Sequence, residues 1–184
     1  MTDDWLVGGN RAERAHDRLV DLAADLIAQR GIDAFDLGEL ARRAHCSRAT
    51  LYRHGGGKHH LVEAVLQRTS AGIVGSIHAA VTGTSGRERA VLAMTTALRE
   101  VRGDRVAGPF LRSRHAVEQA GAITRSPTVL GIAAELIWLR PGEHDSTAAA
   151  SFVVRSVLAL LLWPPDDPTD EDHAIDLVAR AVAH

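Results

Sequence analysis

The sequence predicts an all-α protein in two parts, a three-helix head over residues 1–57 and a longer helical body over residues 58–184. Three observations carry that prediction. Apolar residues recur at three- and four-residue spacing along most of the chain, strand-like alternation stands out nowhere, and Ser, Asp, Gly and Pro fall where helices would begin or end.

In the head, Ala15, Leu19, Leu22, Ala23, Leu26 and Ile27 make one stripe, and Gly31 stands where that helix would stop. Ile32 and Phe35 are candidate core plugs in the loop that follows. Asp36, with Glu39 three positions later, makes a capping-box start for a second helix. Leu40, Ala41 and Ala44, then Ala49, Leu51 and Tyr52, form two short stripes broken at His45-Cys46, with Ser47 placed to cap the third helix. From Lys58 a longer helix is expected to run to about Ala80, with Leu61, Val62, Val65 and Leu66 inward. It would tie head to body.

Beyond Gly83 to Gly86, Val91, Met94, Leu98 and Val101 stripe a helix that ends near Gly103. Pro109 is expected to start or kink the next helix, which carries Phe110, Leu111 and Ala116. Ser126-Pro127 opens a helix through Trp138 that Pro141-Gly142 closes. Ser146 to Trp163 is apolar on nearly every face, so that helix is expected to be buried on both sides. After Pro164-Pro165, Thr169 is placed to cap a last helix striped by Ala174, Ile175, Val178, Ala181 and Val182.

With 184 residues, 46% of them hydrophobic, the chain can bury two cores, and its composition is that of a globular protein. Its formal net charge is -2, so any affinity for nucleic acid must come from a local patch. Leu37 to Lys58 supplies one, with five of the 21 Lys and Arg residues and Glu39 as its only acid. Two short helices joined there by a tight turn make a helix-turn-helix, in which the first helix fixes the angle of the second against a major groove. The side chains offered to the groove would be Arg48, Thr50, Tyr52 and Arg53. A single cysteine, Cys46, permits no internal disulfide and fits a reducing cytoplasm. No signal peptide is visible in MTDDWLVGGN, and the apolar run from Ser156 to Trp163 is far shorter than a membrane span.

Ser47-Arg48-Ala49-Thr50-Leu51-Tyr52-Arg53-His54, followed by Lys58 and Leu61, resembles the TetR-type repressor pattern S-x-x-T-L-Y-x-H-F-x-x-K-x-x-L. The same register continues upstream through Gly31 to Phe35 and Glu39-Leu40-Ala41, so the resemblance covers roughly the first third of the chain. It implies an all-helical homodimer that binds a double-stranded DNA operator through the head and a small-molecule effector through the body. Arg48, Thr50 and Arg53 would contact base edges or nearby phosphates, while Tyr52, His54 and Lys58 would fix the register on the backbone. Three positions depart from the pattern. Gly55 replaces an aromatic residue, His45 replaces the turn glycine, and Asp36 stands where a threonine is frequent.

For the effector, Met94, Phe110 and Trp138 offer thioether and aromatic surface, with Arg112 and His115 as polar neighbours. Aromatic residues are only 4% of the chain, which favours a modest apolar or amphipathic ligand over a flat multi-ring one. The two last apolar helices are expected to pair with their copies, with Val153, Val157, Leu160 and Val178 near the seam.

Other classes find less support. No nucleophile with a converging base and orienting partner emerges, so no enzyme is expected; Cys46 reads as a packing residue beside His45. The ten histidines, His54, His59 and His60 among them, match no standard zinc spacing, so neither metal nor cofactor is expected, and a metal-responsive regulator remains an alternative. A helical interaction module without DNA binding would not need a cationic third helix. Gly55-Gly56-Gly57 reads as a turn rather than a nucleotide-binding loop, because no strand precedes it, with Lys58 and the following helix start turned to a DNA phosphate.

Overall fold

A computed structural model describes residues 4–111, 115–138 and 146–182. It is all-α, with ten helices and no strand among the described residues. They are α1 (Asp4–Arg30), α2 (Leu37–Arg43), α3 (Arg48–Gly55), α4 (Lys58–Val81), α5 (Gly86–Gly103), α6 (Ala107–Leu111), α7 (His115–Ile123), α8 (Pro127–Leu136), α9 (Ser146–Leu162) and α10 (Pro168–Val182). The chain divides into two compact units, Met1–Ser70 and Ala71–His184, and α4 contributes to both. No helix among the described residues is long and apolar enough to cross a membrane.

In the first unit, Leu19, Val20, Ala23, Leu26 and Ile27 of α1 close on Phe35, Leu40, Ala41, Leu51, Leu61 and Val65. Each large aliphatic side chain enclosed there contributes about 1.5–3 kcal/mol of burial. Val20 belongs to this core, whereas Leu22 and Ile32 are half-buried. Leu66 is exposed rather than inward, because it lies about 100° around the helix from the Leu61/Val65 line. The capping box at α2 is half made. Asp36 Oδ1 accepts from the Glu39 amide at 2.8 Å, but the Glu39 carboxylate turns to Arg42 and Arg43.

The second unit is built around α5, whose Ala90, Ala93, Met94 and Leu98 meet Ile77 and Val81 of α4, Leu136 and Ile137, Val153 of α9, and Ile175, Val178, Ala179 and Val182 of α10. Several sequence expectations are corrected here. Asp104 Oδ1 accepts from the Val106 and Ala107 amides at 2.8 and 2.7 Å, so α6 begins at Ala107 and Pro109 falls inside its first turn, where a missing amide proton costs nothing. Gly108 is required there, since a Cβ would lie 2.8 Å from the Arg102 carbonyl oxygen. Phe110 ends up on α6 and Ala116 on α7.

Ser126 caps α8 as expected, accepting from the Val129 amide at 3.4 Å with Pro127 in the first turn. That helix ends at Leu136, short of Trp138, whose φ of +56° turns the chain out of the helix. The expected Pro141-Gly142 stop lies outside the described residues. The last helix is capped by Asp167, which accepts from the Thr169 amide at 2.8 Å, and Ala179 rather than Ala181 completes its buried stripe. Finally, α9 is buried on one side only: Ala150, Val153 and Val154 face the core, while Phe152 is 46% and the following Trp163 64% exposed.

Candidate nucleic-acid interface

The turn between α2 and α3 is stitched by its own backbone. The Cys46 amide donates to the Ala41 carbonyl at 3.0 Å and the His45 amide to the Arg42 carbonyl at 3.2 Å, the paired bonds of a Schellman motif. That motif needs a left-handed residue just past the helix, and His45 supplies it with φ +51°. Ser47 then caps α3, its Oγ accepting from the Thr50 amide at 3.1 Å and meeting the Thr50 hydroxyl at 2.9 Å. At the far end Gly56 is left-handed, and its amide donates to the Tyr52 carbonyl.

Between those fixed ends, Leu51 and Gly55 are buried, and Arg48, Ala49, Tyr52 and Arg53 form one exposed face. Gly55 is filled from outside rather than left hollow. A Cβ on it would sit 3.1 Å from Leu61 Cδ1, so the leucine occupies the place where an aromatic side chain would otherwise stand. Gly57, at φ +105°, leaves room for the Tyr52 ring, which an added Cβ would meet at 3.4 Å. Thr50 and His54 flank the face and are half-buried. The His54 carbonyl accepts a 2.8 Å hydrogen bond from His16 Nδ1, which holds the last turn of α3 to α1.

Charge is sorted along this surface. Arg42 and Arg43 are spent on Glu39, at 2.7 and 3.1 Å, and these two bonds hold the Glu39 carboxyl below its ordinary range. Among the described residues, neither Arg48 nor Arg53 has a carboxylate partner. Arg48 lies over Gly38, where a Cβ would come within 3.2 Å of its Nη2. Lys58, exposed at the start of α4, donates to the Asp33 carbonyl at 3.4 Å. An open groove of about 470 Å³ is lined by Arg53 and His54 from α3 and by Ala12, Glu13, His16 and Asp17 from α1, so the carboxylates of Glu13 and Asp17 border the same groove as Arg53 without pairing with it.

The expected effector residues differ widely in exposure. Met94 is sealed in the core, Phe110 is half-buried on α6, and Trp138 is exposed beyond α8. Arg112 and the side chain of His115 lie outside the described residues. What the structure adds is Arg89, only 4% exposed, with its guanidinium 4.2 Å from the Trp138 ring centroid. No motif in the sequence singles out Arg89. Its signal was its place one turn before Ala93, in line with the buried stripe of α5.

At the expected seam, Val153 and Val178 are buried in the core of their own unit, and Val157 and Leu160 pack partly against it. The large apolar side chains that α9, its end and α10 leave exposed are Phe152, Trp163 and Leu177. Among the described residues, no three His, Cys, Asp or Glu side chains gather where they could hold a metal ion.

Residues 19–65 match the family of bacterial regulatory proteins known as the tetR family. Over 175 residues the chain is 34% identical to an HTH-type transcriptional regulator of Mycobacterium tuberculosis, covering 91% of this chain and 84% of that protein. The HTH-type transcriptional regulator AlkX of the same species is 27% identical over 171 residues, 88% of this chain and 80% of that one. In fold, the chain is similar to the crystal structure of a TetR family repressor, also AlkX, from a Dietzia species and implicated in biodegradation of n-alkanes. The TM-score is 0.57 at 22% identity, over 89% of this chain and 92% of the other. The chain belongs to the TetR family and is a DNA-binding transcriptional regulator.

Proposed function

We propose that this regulator is a cytoplasmic repressor that binds a palindromic operator as a homodimer and is released by a small-molecule effector. Residues 1–57 form its DNA-binding head and residues 58–184 its effector-binding and dimerisation body. The observation that carries the reading is the exposed face of α3, where Arg48 and Arg53 flank Tyr52 without a carboxylate partner while both helix ends are pinned. Arg48, Thr50 and Arg53 read base edges or nearby phosphates; Tyr52, His54 and Lys58 hold the backbone. The dimer seam runs along α9 and α10, and Phe152, Trp163 and Leu177 carry it in place of the core residues Val153 and Val178. The effector is a modest apolar or amphipathic molecule, a class consistent with the n-alkane context of the Dietzia repressor. Its binding favours a head spacing that no longer matches successive major grooves.

Selection of bound DNA from a random pool supplies the operator for the test. Arg48→Ala should then lose ~1–3 kcal/mol of discrimination, selectively at one base position. Lys58→Ala should weaken binding to all sequences alike and flatten its salt dependence. If both variants bind the selected operator as the unaltered protein does, the assigned surface is wrong.

A further inference from the structure

Arg89 is a buried cation with an unused edge. Its Nη1 donates to the Val81 carbonyl at 2.8 Å, its Nε is buried without any hydrogen-bond partner, and no carboxylate pairs with it among the described residues. Capping α4 does not account for it. The Val81 carbonyl already accepts from the Thr84 amide at 3.1 Å and the Thr84 hydroxyl at 2.8 Å, so that carbonyl is satisfied without an arginine. Burial pushes the Arg89 guanidinium down from its ordinary value, yet an arginine keeps its proton and its charge. Trp138 covers one face of the group by a cation–π contact, which leaves the in-plane edge formed by Nε and Nη2. Two parallel N–H groups on that edge match the two oxygens of a carboxylate.

The surroundings are apolar. Val81, Ala90, Ala93 and Ile137 all belong to the buried cluster of this unit, and Trp138 is 59% exposed on the outer side. We propose that Arg89 is the headgroup site for the effector, and that the effector is an amphipathic monocarboxylate: the carboxylate takes the Nε/Nη2 edge, and an alkyl chain lies against the apolar cluster after Trp138 swings aside. This rests on the reading of the body as the effector-binding part, and it narrows the ligand from apolar or amphipathic to anionic amphipathic.

The test compares decanoate with decanol, which share a chain and differ in charge, by calorimetry and tryptophan fluorescence on the full-length protein. Decanoate should bind about ten- to a hundredfold more tightly than decanol, as a bidentate charge-assisted pair would give, and should change the emission of Trp138. Arg89→Met should bring the ratio to about one with decanol affinity kept. Arg89→Lys, which keeps the charge but not the fork, should lose about tenfold for decanoate and serves alone if the Met variant does not fold. Equal affinity in the unaltered protein, no decanoate binding, or a preference undiminished in either variant overturns the proposal. Operator binding is followed in the same titrations. Decanoate held through Arg89 without operator release supports the site and sinks the release reading; release by decanol with decanoate ignored does the reverse.

Discussion

The two units treat an unpartnered arginine in opposite ways. In the first, Arg48 and Arg53 stand in water on α3, where an uncompensated charge is cheap to hold and a polyanion can neutralise it. In the second, Arg89 is enclosed among apolar side chains, where the same charge is costly and only a ligand shaped to its free edge can reach it. Several arginines of both units are paired, Arg68 with Asp17 and Asp21, Arg87 with Asp176, Arg102 with Glu171. What sets Arg89 apart is its burial at 4% exposure, since an exposed arginine without an acid is cheap to hold and a buried one is not.

Substitutions can break or sharpen that contrast. The largest effect is expected from Phe152→Asp, which would place an unpaired carboxylate in the proposed seam and weaken self-association by roughly 3–5 kcal/mol. Sedimentation would then show monomers with native helical content; a mutant that remains dimeric places the seam elsewhere. Leu51→Ala acts on the first unit alone. Loss of this enclosed side chain should cost about 2–5 kcal/mol there and abolish operator binding while the dimer persists in sedimentation. Dimer loss alongside head unfolding would show that the units are not independent in stability.

His45→Gly should go the other way. Relieving a left-handed backbone held by a residue with a Cβ should stabilise the head by about 0.5–1 kcal/mol in urea titration, with operator affinity unchanged. The smallest effect belongs to Glu171, whose carboxyl the Arg102 hydrogen bonds hold below its ordinary range. A depressed carboxyl contributes stability above its unfolded pKa of about 4.3 and loses that contribution as pH falls through the folded value. Glu171→Gln should therefore cost about 0.5 kcal/mol at neutral pH, discounted for partial exposure, and nothing once acid has protonated the carboxyl. A difference that persists unchanged at low pH would assign the loss to packing instead of charge.

The head was largely legible because its signals are local. The cap at Ser47, the periodic stripe of α1 and the cationic run after Ser47 each lie within a few residues, and the fold keeps their meaning. Gly55 was not, since the side chain that fills its place, Leu61, comes from the next helix. In the body, composition could announce apolar helices without saying which face meets which neighbour. Val153 and Phe152 are adjacent and equally apolar, yet one is core and the other surface, because the helices packed on α9, namely α5, α7, α8 and α10, leave the Phe152 side uncovered. Arg89 was hidden for the same reason, as its burial depends on Trp138, 49 residues downstream.

Cys46 holds the chain's only sulfhydryl, half-buried in the turn that launches α3 and flanked by the strained His45 and the cap Ser47. Every alkylation by a maleimide would therefore report on a single point of the chain, a few residues from Arg48. Bound operator should slow that labelling, and effector should restore it. The turn thus carries its own footprinting probe, able to time the grip and release of DNA without an engineered tag.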